Sequence, residues 1–129
     1  MTALLLFLFA AFLQAPSDPA APRRVTPGPA AAAQPAYREV KPGEQRVAGS
    51  LLRVECPPRR PVTFVLKVKD RVAKYQAPRL DGVEYIAHTP DFKGPMTCGG
   101  RMPGDPVFLT WKTVGRVQQA VAVEFLPRE

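Results

Sequence analysis

Proline is the feature that most limits how this chain can fold. The 129 residues include sixteen prolines, and seven of them lie between residues 15 and 45. Proline has no backbone N–H and cannot continue a helix or a central strand. Alanine fills much of the space between these prolines, so this segment holds too few large apolar side chains to form a core. We predict an Ala/Pro-rich disordered linker over 18–45 and one folded domain over 46–129.

An apolar run precedes the linker. Residues 2–13 carry no charged side chain, and the run is shorter than the roughly 20 residues of a membrane span. Small residues at Ala15 and Ser17 suit the cleavage site of a secretory signal. No Lys or Arg precedes the run, which departs from the usual signal pattern, and a buried N-terminal helix is the alternative. We expect a signal peptide over 1–17, export to the periplasm or the medium, and no stable membrane span.

Alternating apolar and polar side chains predict β-strands. The clearest strand is 62–69, and a short turn leads from it into a second alternating run, 73–77, so the two should pair as an antiparallel hairpin. Further strands are expected over 46–56, with a bend at Gly49, and over 83–88, 107–112 and 120–126. No segment has helical periodicity. In the last strand we expect one side to face the core (Val121, Val123, Phe125) and Glu124 to face outward.

The only two cysteines are Cys56 and Cys98. In an exported chain, two cysteines most simply form a disulfide. Cys98 lies in the Gly- and Pro-rich segment 89–106, which is long for a loop and should be either functional or pinned. A disulfide closing a loop of this length contributes up to about 4 kcal/mol in the chain-entropy model. We therefore predict a Cys56–Cys98 disulfide, which leaves no free thiol for catalysis.

The order of these elements predicts an all-β fold. A long bent strand, a tight hairpin, an irregular connection and a closing strand pair suggest a small five- to six-stranded Greek-key barrel, OB-fold-like, with the usual helix replaced by loop. An immunoglobulin-like sandwich is the alternative and requires about seven strands. Several positions also stand out together: Gly49, Cys56, Phe64, Leu66, Glu84, Tyr85, Cys98, Glu124 and Phe125. This set resembles small exported OB-fold-like modules of bacteria, and the resemblance implies the fold and no catalytic signature.

Positive charge is concentrated in one part of the domain. Of the formal net charge of +7, most arises in residues 53–79, which hold eight basic and two acidic side chains. A local basic surface attracts acidic partners, although a solvated strand face that discourages edge pairing is the simpler explanation. The candidate ligand-binding residues are Arg59, Arg60, Lys67, Lys69, Arg71 and Lys74.

An acidic polysaccharide, a lipid headgroup or an acidic protein surface is the expected partner. OB-folds commonly bind ligands on the face of their second and third strands, which here carries the basic hairpin. Nucleic acid fits less well, because single strands stack on exposed aromatic side chains and Tyr75 has the parity of the core. We expect a monomeric, non-enzymatic binding or interaction module without a cofactor.

A copper site is the alternative function. His88, Met96 and Met102, with Cys98 nearby, supply the imidazole and thioether groups that suit cuprous ions. Their spacing matches no metal motif, and methionines also fill gaps in cores. A small hydrolase is a third hypothesis, but the sequence has no phosphate-binding glycine loop, no paired catalytic carboxylates and no Ser-His-Asp set.

Overall fold

The domain is built from strands. The computed structural model describes residues 23–24 and 36–128, so the expected signal peptide and most of the predicted linker lie outside the described residues. The described strands are β1 (Arg23–Arg24), β2 (Glu44–Glu55), β3 (Val62–Val68), β4 (Arg71–Ala77), β5 (Glu84–Ala87), β6 (Gly99–Val114) and β7 (Val117–Phe125). Within these residues there is one short 3-10 turn, Leu80–Gly82, and no α-helix. The all-β prediction is confirmed.

All the strands belong to one mixed sheet. Antiparallel pairs join β2 to β3, β3 to β4, β2 to β6, and β6 to β7. Parallel pairs join β1 to β5 and β5 to β7. β4 also meets β7 in parallel, but through a single registered residue pair, Gln76 with Gln119.

Inward- and outward-facing side chains alternate along the β3–β4 hairpin, as its sequence predicted. Val62 pairs with Ala77 and Val68 with Arg71, so the register is continuous along both strands. Tyr75 is only 4% exposed, which confirms its inward parity. Its neighbours in the core include Leu51, Val54, Phe64, Leu66, Tyr85, Val107, Leu109, Val123 and Phe125.

β2 is an interior strand of the sheet, because it pairs with β3 on one edge and with β6 on the other. Both registers shift between Leu51 and Arg53, so the irregularity lies there and not at Gly49. Gly49 marks a close approach instead, since a Cβ at this position would lie 2.8 Å from the carbonyl oxygen of Lys67. Only glycine fits this contact between neighbouring backbones.

Two strands extend beyond their predicted bounds. β6 starts at Gly99, inside the segment expected to be loop, and its first residues pair with the end of β2. The hydrogen bonds between these strands are made by backbone groups. A glycine-rich sequence can therefore form a strand here without any side-chain periodicity. β7 starts at Val117, and its register with β6 shifts between Thr110 and Trp111. As a result Ala120, and not Val121, contributes to the core.

Residues 36–43 form a segment that we call the strap, although composition assigned them to the linker. The backbone N–H of Arg38 donates to Glu124 on β7. The Tyr37 ring makes an edge contact with Phe108 on β6, with 5.0 Å between the ring centroids. Ordered structure therefore begins before residue 46, and the strap leads directly into β2.

Cys56 and Cys98 form the predicted disulfide, with their Cα atoms 5.9 Å apart. Phe92, in the connection that this bond closes, stacks on Phe125 at a centroid distance of 3.6 Å. The long connection is thus held to the core at two points. Across residues 23–24 and 36–128, no helix has the length and apolar character required to cross a membrane.

Candidate functional site

The six predicted basic residues, which we call the basic set, are all exposed. Lys67 and Lys74 lie at the middle of the hairpin, where Lys67 pairs with Val72 and Lys74 with Val65. This register makes the two lysines diagonal neighbours on the outer face, a Cα spacing of roughly 7–8 Å. The fold thus makes neighbours of two members of the basic set that lie on different strands.

The other four members of the basic set lie at opposite ends of the hairpin. Lys69 and Arg71 flank the turn between β3 and β4, whereas Arg59 and Arg60 precede β3. A strand of this length spans about 20 Å, at roughly 3.4 Å per residue. The basic set is therefore a line of charge along the hairpin and not one compact patch.

No member of the basic set forms an ion pair with a described residue. Other cations of the domain do, including Arg79 with Asp81 at 2.8 Å and Arg101 with Asp105 at 2.7 Å. A line of unpaired cations projects a positive potential that a neutralised surface lacks.

Val65 shows how the outer face around Lys74 is packed. It belongs to the outward side of β3, yet it is 0% exposed. Its registered neighbours are Arg53 on β2 and Lys74 on β4. Long cationic side chains commonly lay their aliphatic stems over apolar surface while the charged end stays in water. Lys74 is therefore placed to cover Val65 and still present its ammonium group.

Arg116 extends this charge in a way that the sequence analysis missed. It lies in the turn between β6 and β7, and together with Lys74 it lines an open groove of about 370 Å³ beside β4. A neighbouring groove of about 220 Å³ is lined mainly by apolar residues: Pro61, Ala77, Pro78, Val114 and Val117. Only the tertiary fold brings the β6–β7 turn to β4, so no local sequence pattern indicates the pairing.

The residues of the copper hypothesis lie in three different environments. His88 is 4% exposed and faces Glu124, with 2.8 Å between Nε2 and Oε2. Met96 is buried, and its sulfur accepts a hydrogen bond from Arg101. Met102 is 99% exposed, and Cys98 is in the disulfide. In the described part of the chain, no three His, Cys, Asp or Glu side chains are grouped as metal ligands.

Glu124 is the centre of a buried polar cluster that the sequence analysis did not identify. It is 0% exposed. Its Oε1 accepts from the backbone N–H of Arg38 at 3.1 Å and lies 3.5 Å from Nη2 of Arg46, while its Oε2 accepts from His88. Arg46 also donates to the carbonyl oxygen of Arg38. We call Arg38, Glu44, Arg46, His88 and Glu124 the clasp.

Arg38 bonds to Glu44 within the clasp and to Glu84 outside it. Its Nη1 donates to Glu44 at 2.8 Å, and its Nε donates to Glu84 at 3.1 Å. The hydrogen bond to Glu44 raises the pKa of Arg38 and lowers the pKa of the Glu44 carboxyl group. The backbone N–H of Lys41 also donates to Glu44 at 3.0 Å. One side chain of the strap therefore binds both the strand that follows it and a more distant strand.

Aromatic contacts close the clasp from outside. The Tyr37 ring meets the His88 ring edge-on, with 5.1 Å between centroids. The Arg46 guanidinium lies 5.4 Å from the centre of the Phe108 ring, within cation–π range. Two buried atoms, Nε of Arg46 and Oγ1 of Thr110, have no hydrogen-bond partner among the described residues.

The clasp holds the strap against the sheet, because Arg38 and Tyr37 of the strap contact Glu124 and His88. Glu124 does face away from the core, as its parity predicts, but the strap covers it. The sequence carried one usable signal, which is a single acidic residue inside the apolar run of β7. A charge in such a position requires buried partners.

The positions on which the expected resemblance rests are mostly structural in this chain. Phe64, Leu66 and Tyr85 are core residues, and Cys56 forms the disulfide. No family model, curated protein or solved structure matches the chain. Function must therefore be inferred from the side chains themselves.

Proposed function

We propose that this chain is an exported, non-enzymatic binding module whose β3–β4 hairpin presents the basic set to an acidic partner. The observation that carries the proposal is that these six cations are exposed and form no ion pair with a described residue. The arginines of the clasp, in contrast, are paired with carboxylates. An acidic partner would supply the negative charge that the basic set does not find among the described residues.

Backbone conformation at both ends of the hairpin supports the same proposal. Among the described non-glycine residues, positive φ angles occur at Arg59 (58°) and Lys69 (55°). This left-handed conformation costs roughly 1–2 kcal/mol for a residue with a Cβ, and glycine would avoid the cost. Both positions nevertheless hold cations of the basic set, which supports a role for their charge.

An acidic polysaccharide, a lipid headgroup and an acidic protein surface all satisfy the charge requirement. Nucleic acid fits less well because the hairpin offers no stacking platform. Tyr75 is buried, and its ring lies 5.8 Å from that of Trp111. Base stacking on exposed aromatics supplies much of the affinity for single strands.

We also infer that the sheet closes into a small Greek-key barrel of the OB type. The pairings run from β2 through β3, β4, β7 and β6 and back to β2, which is the support for closure. The single pair between Gln76 and Gln119 joins the two ends. Nuclear Overhauser contacts between the backbone protons of these two residues would support closure, and their absence would indicate an open sheet.

Charge reversal tests the basic surface directly. The variant carries glutamate at Lys67, Lys69, Arg71 and Lys74, and retention on a polyanionic matrix is measured by the salt concentration needed for elution. A control with the same change in net charge places glutamate at Lys41, Arg79, Lys93 and Lys112, which are exposed elsewhere. We expect the hairpin variant to elute at clearly lower salt than the control. Equal elution would mean that only net charge matters, and the proposal would fail.

Export is tested by intact mass. The protein is purified from a secreting host and alkylated with and without prior reduction. A chain that begins at Asp18, with both thiols blocked until reduction, is the expected result. A full-length chain with two free thiols would contradict export and return Cys56, His88 and Cys98 to consideration as metal ligands.

A further inference from the structure

β4 has one edge that is almost without a partner. It pairs with β3 along its whole length, but it meets β7 only where Gln76 pairs with Gln119. Between Arg71 and Tyr75, the edge of β4 that faces β7 has no registered partner among the described residues. We call this opening the seam. Unpaired N–H and C=O groups on such an edge can accept an additional strand.

An apolar groove adjoins the seam, between the end of β4 (Gln76, Ala77) and the β6–β7 turn. Val114 and Val117 form a registered pair at that turn, and both are exposed, by 47% and 40%. They line the groove of about 220 Å³ together with Pro61 and Pro78. This volume is below the roughly 300–1,000 Å³ of small-molecule sites, and it suits an inserted side chain better than a whole ligand.

The adjoining part of the seam is cationic. Lys74 and Arg116 line it with Gln76 and Gln118, and Val117 belongs to both grooves, so the apolar and cationic parts are continuous. Among the described residues, no acidic side chain lines either groove. Lysine on an edge strand discourages pairing with neutral or basic strands, but it favours an acidic one.

We propose that the seam binds an extended acidic peptide, which adds as a strand to the edge of β4 and inserts an apolar side chain beside Val114 and Val117. This inference rests on the proposed function and names the chemical class of the acidic partner. Strand addition uses backbone hydrogen bonds for affinity and side-chain pockets for selectivity. The seam and its adjoining grooves provide a backbone edge, an apolar pocket and cations. A peptide that alternates apolar and acidic residues offers a backbone, an apolar side chain and carboxylates to match them.

The probe is a fluorescent octapeptide library that alternates Leu or Val with Asp or Glu. One matched library replaces the acids by Lys, and a second replaces Leu and Val by Ser. Binding to the full chain purified from a secreting host is followed by fluorescence anisotropy at physiological ionic strength. We expect selection of acidic, apolar-anchored peptides, with members of both matched libraries bound at least about tenfold more weakly.

Variants separate the contributions. The Val117→Ser variant should bind the selected peptide about tenfold more weakly. We expect a loss of the same size from the double variant Lys74→Glu, Arg116→Glu. Lys93→Glu removes an exposed cation outside both grooves and should leave binding unchanged, with circular dichroism confirming that every variant is folded. N-methylation of alternate peptide nitrogens should abolish binding in one parity and not in the other, because only one side of an added strand faces β4.

The outcomes distinguish the two proposals. Equal binding of the acidic and serine libraries, no effect of Val117→Ser, or equal tolerance of both N-methyl parities would each overturn the peptide inference. If no peptide binds while matrix retention still depends on the hairpin, the proposed function stands and this inference fails. If retention ignores the hairpin while peptide binding requires Val117, Lys74 and Arg116, the seam site stands and the broader proposal fails.

Discussion

The clasp and the basic set use similar charged residues with opposite results. In the clasp, Glu124 is completely buried and hydrogen-bonded from three directions, and Arg38 bonds to two other carboxylates. In the basic set, six cations line a hairpin with no ion pair to a described residue. The same chain thus closes one polar region with its own strap and leaves the other open.

This difference shows which property of a charge indicates function. A charged residue that is buried with partners is expected to contribute to stability, and removing one partner exposes the cost of burying the other. A charged residue that is exposed without partners contributes little to stability, so its position needs another explanation. The following predictions separate these two cases, beginning with the largest expected effect.

Glu124→Ala should destabilise the domain by about 3 kcal/mol, because it leaves the buried side chain of His88 and the partly buried side chain of Arg46 without their carboxylate. Glu124→Gln should cost less, since an amide can still accept from Arg38. Urea unfolding at neutral pH measures both. The control is Glu55→Ala, which removes an exposed carboxylate from β2. If Glu124→Ala lost no more stability than this control, the structural role of the clasp would be contradicted.

Thr110→Val should stabilise the domain by about 1 kcal/mol. The Thr110 hydroxyl is fully buried and has no hydrogen-bond partner among the described residues, and valine has the same shape without the desolvation cost of that hydroxyl. Thr113→Val, at an exposed position on the same strand, is the matched control. Destabilisation by Thr110→Val would mean that the hydroxyl does have a partner.

Glu44→Gln should cost stability at neutral pH and progressively less in acid. The pKa of Glu44 is lowered in the folded state, mainly by its hydrogen bond from Arg38. A carboxyl group whose pKa is lower in the folded state stabilises the fold at pH values above its unfolded pKa of about 4.3. This contribution is lost as the pH falls through the pKa of the folded state. Chemical unfolding of both proteins between about pH 7 and pH 3 tests this. If the difference in unfolding free energy between the two proteins were constant across this pH range, it would exclude a contribution from the titration of Glu44.

Charge reversal in the basic set should have the smallest effect on stability. Each change of Lys67, Lys69, Arg71 or Lys74 to glutamate should alter the free energy of unfolding by less than about 0.5 kcal/mol. Thermal unfolding of the single variants provides the measurement. A large loss at any of these positions would show that its side chain serves the fold, and the contrast with the clasp would disappear.

The hairpin could be predicted from sequence because its information is local. Alternation from Val62 to Val68, a tight turn and the inward parity of Tyr75 are all visible within sixteen consecutive residues, 62–77, and all are present in the structure. The disulfide could also be predicted, since the only two cysteines of the chain allow one intramolecular pairing. The first half of β6 could not, because Gly99 and Gly100 join the ladder through backbone bonds alone.

The candidate site was only partly predictable for the same physical reason. Exposed lysines on an alternating strand are identified by parity, so Lys67 and Lys74 could be placed on the outer face. The approach of Arg116 to Lys74 depends on how the β6–β7 hairpin leans toward β4, which no local pattern encodes. The strap was missed because a proline-rich composition describes an average, whereas Tyr37 and Arg38 act through individual contacts.

The strap also determines how mechanical force would enter the domain. Tension applied at residue 36 passes through the strap and then along β2. β2 is hydrogen-bonded to antiparallel neighbours on both edges, and those bonds lie perpendicular to its axis. Tension along β2 would therefore load two ladders in shear at once, and it could not unzip them one bond at a time. A domain pulled through the strap would therefore resist extraction at a strand that is hydrogen-bonded on both edges.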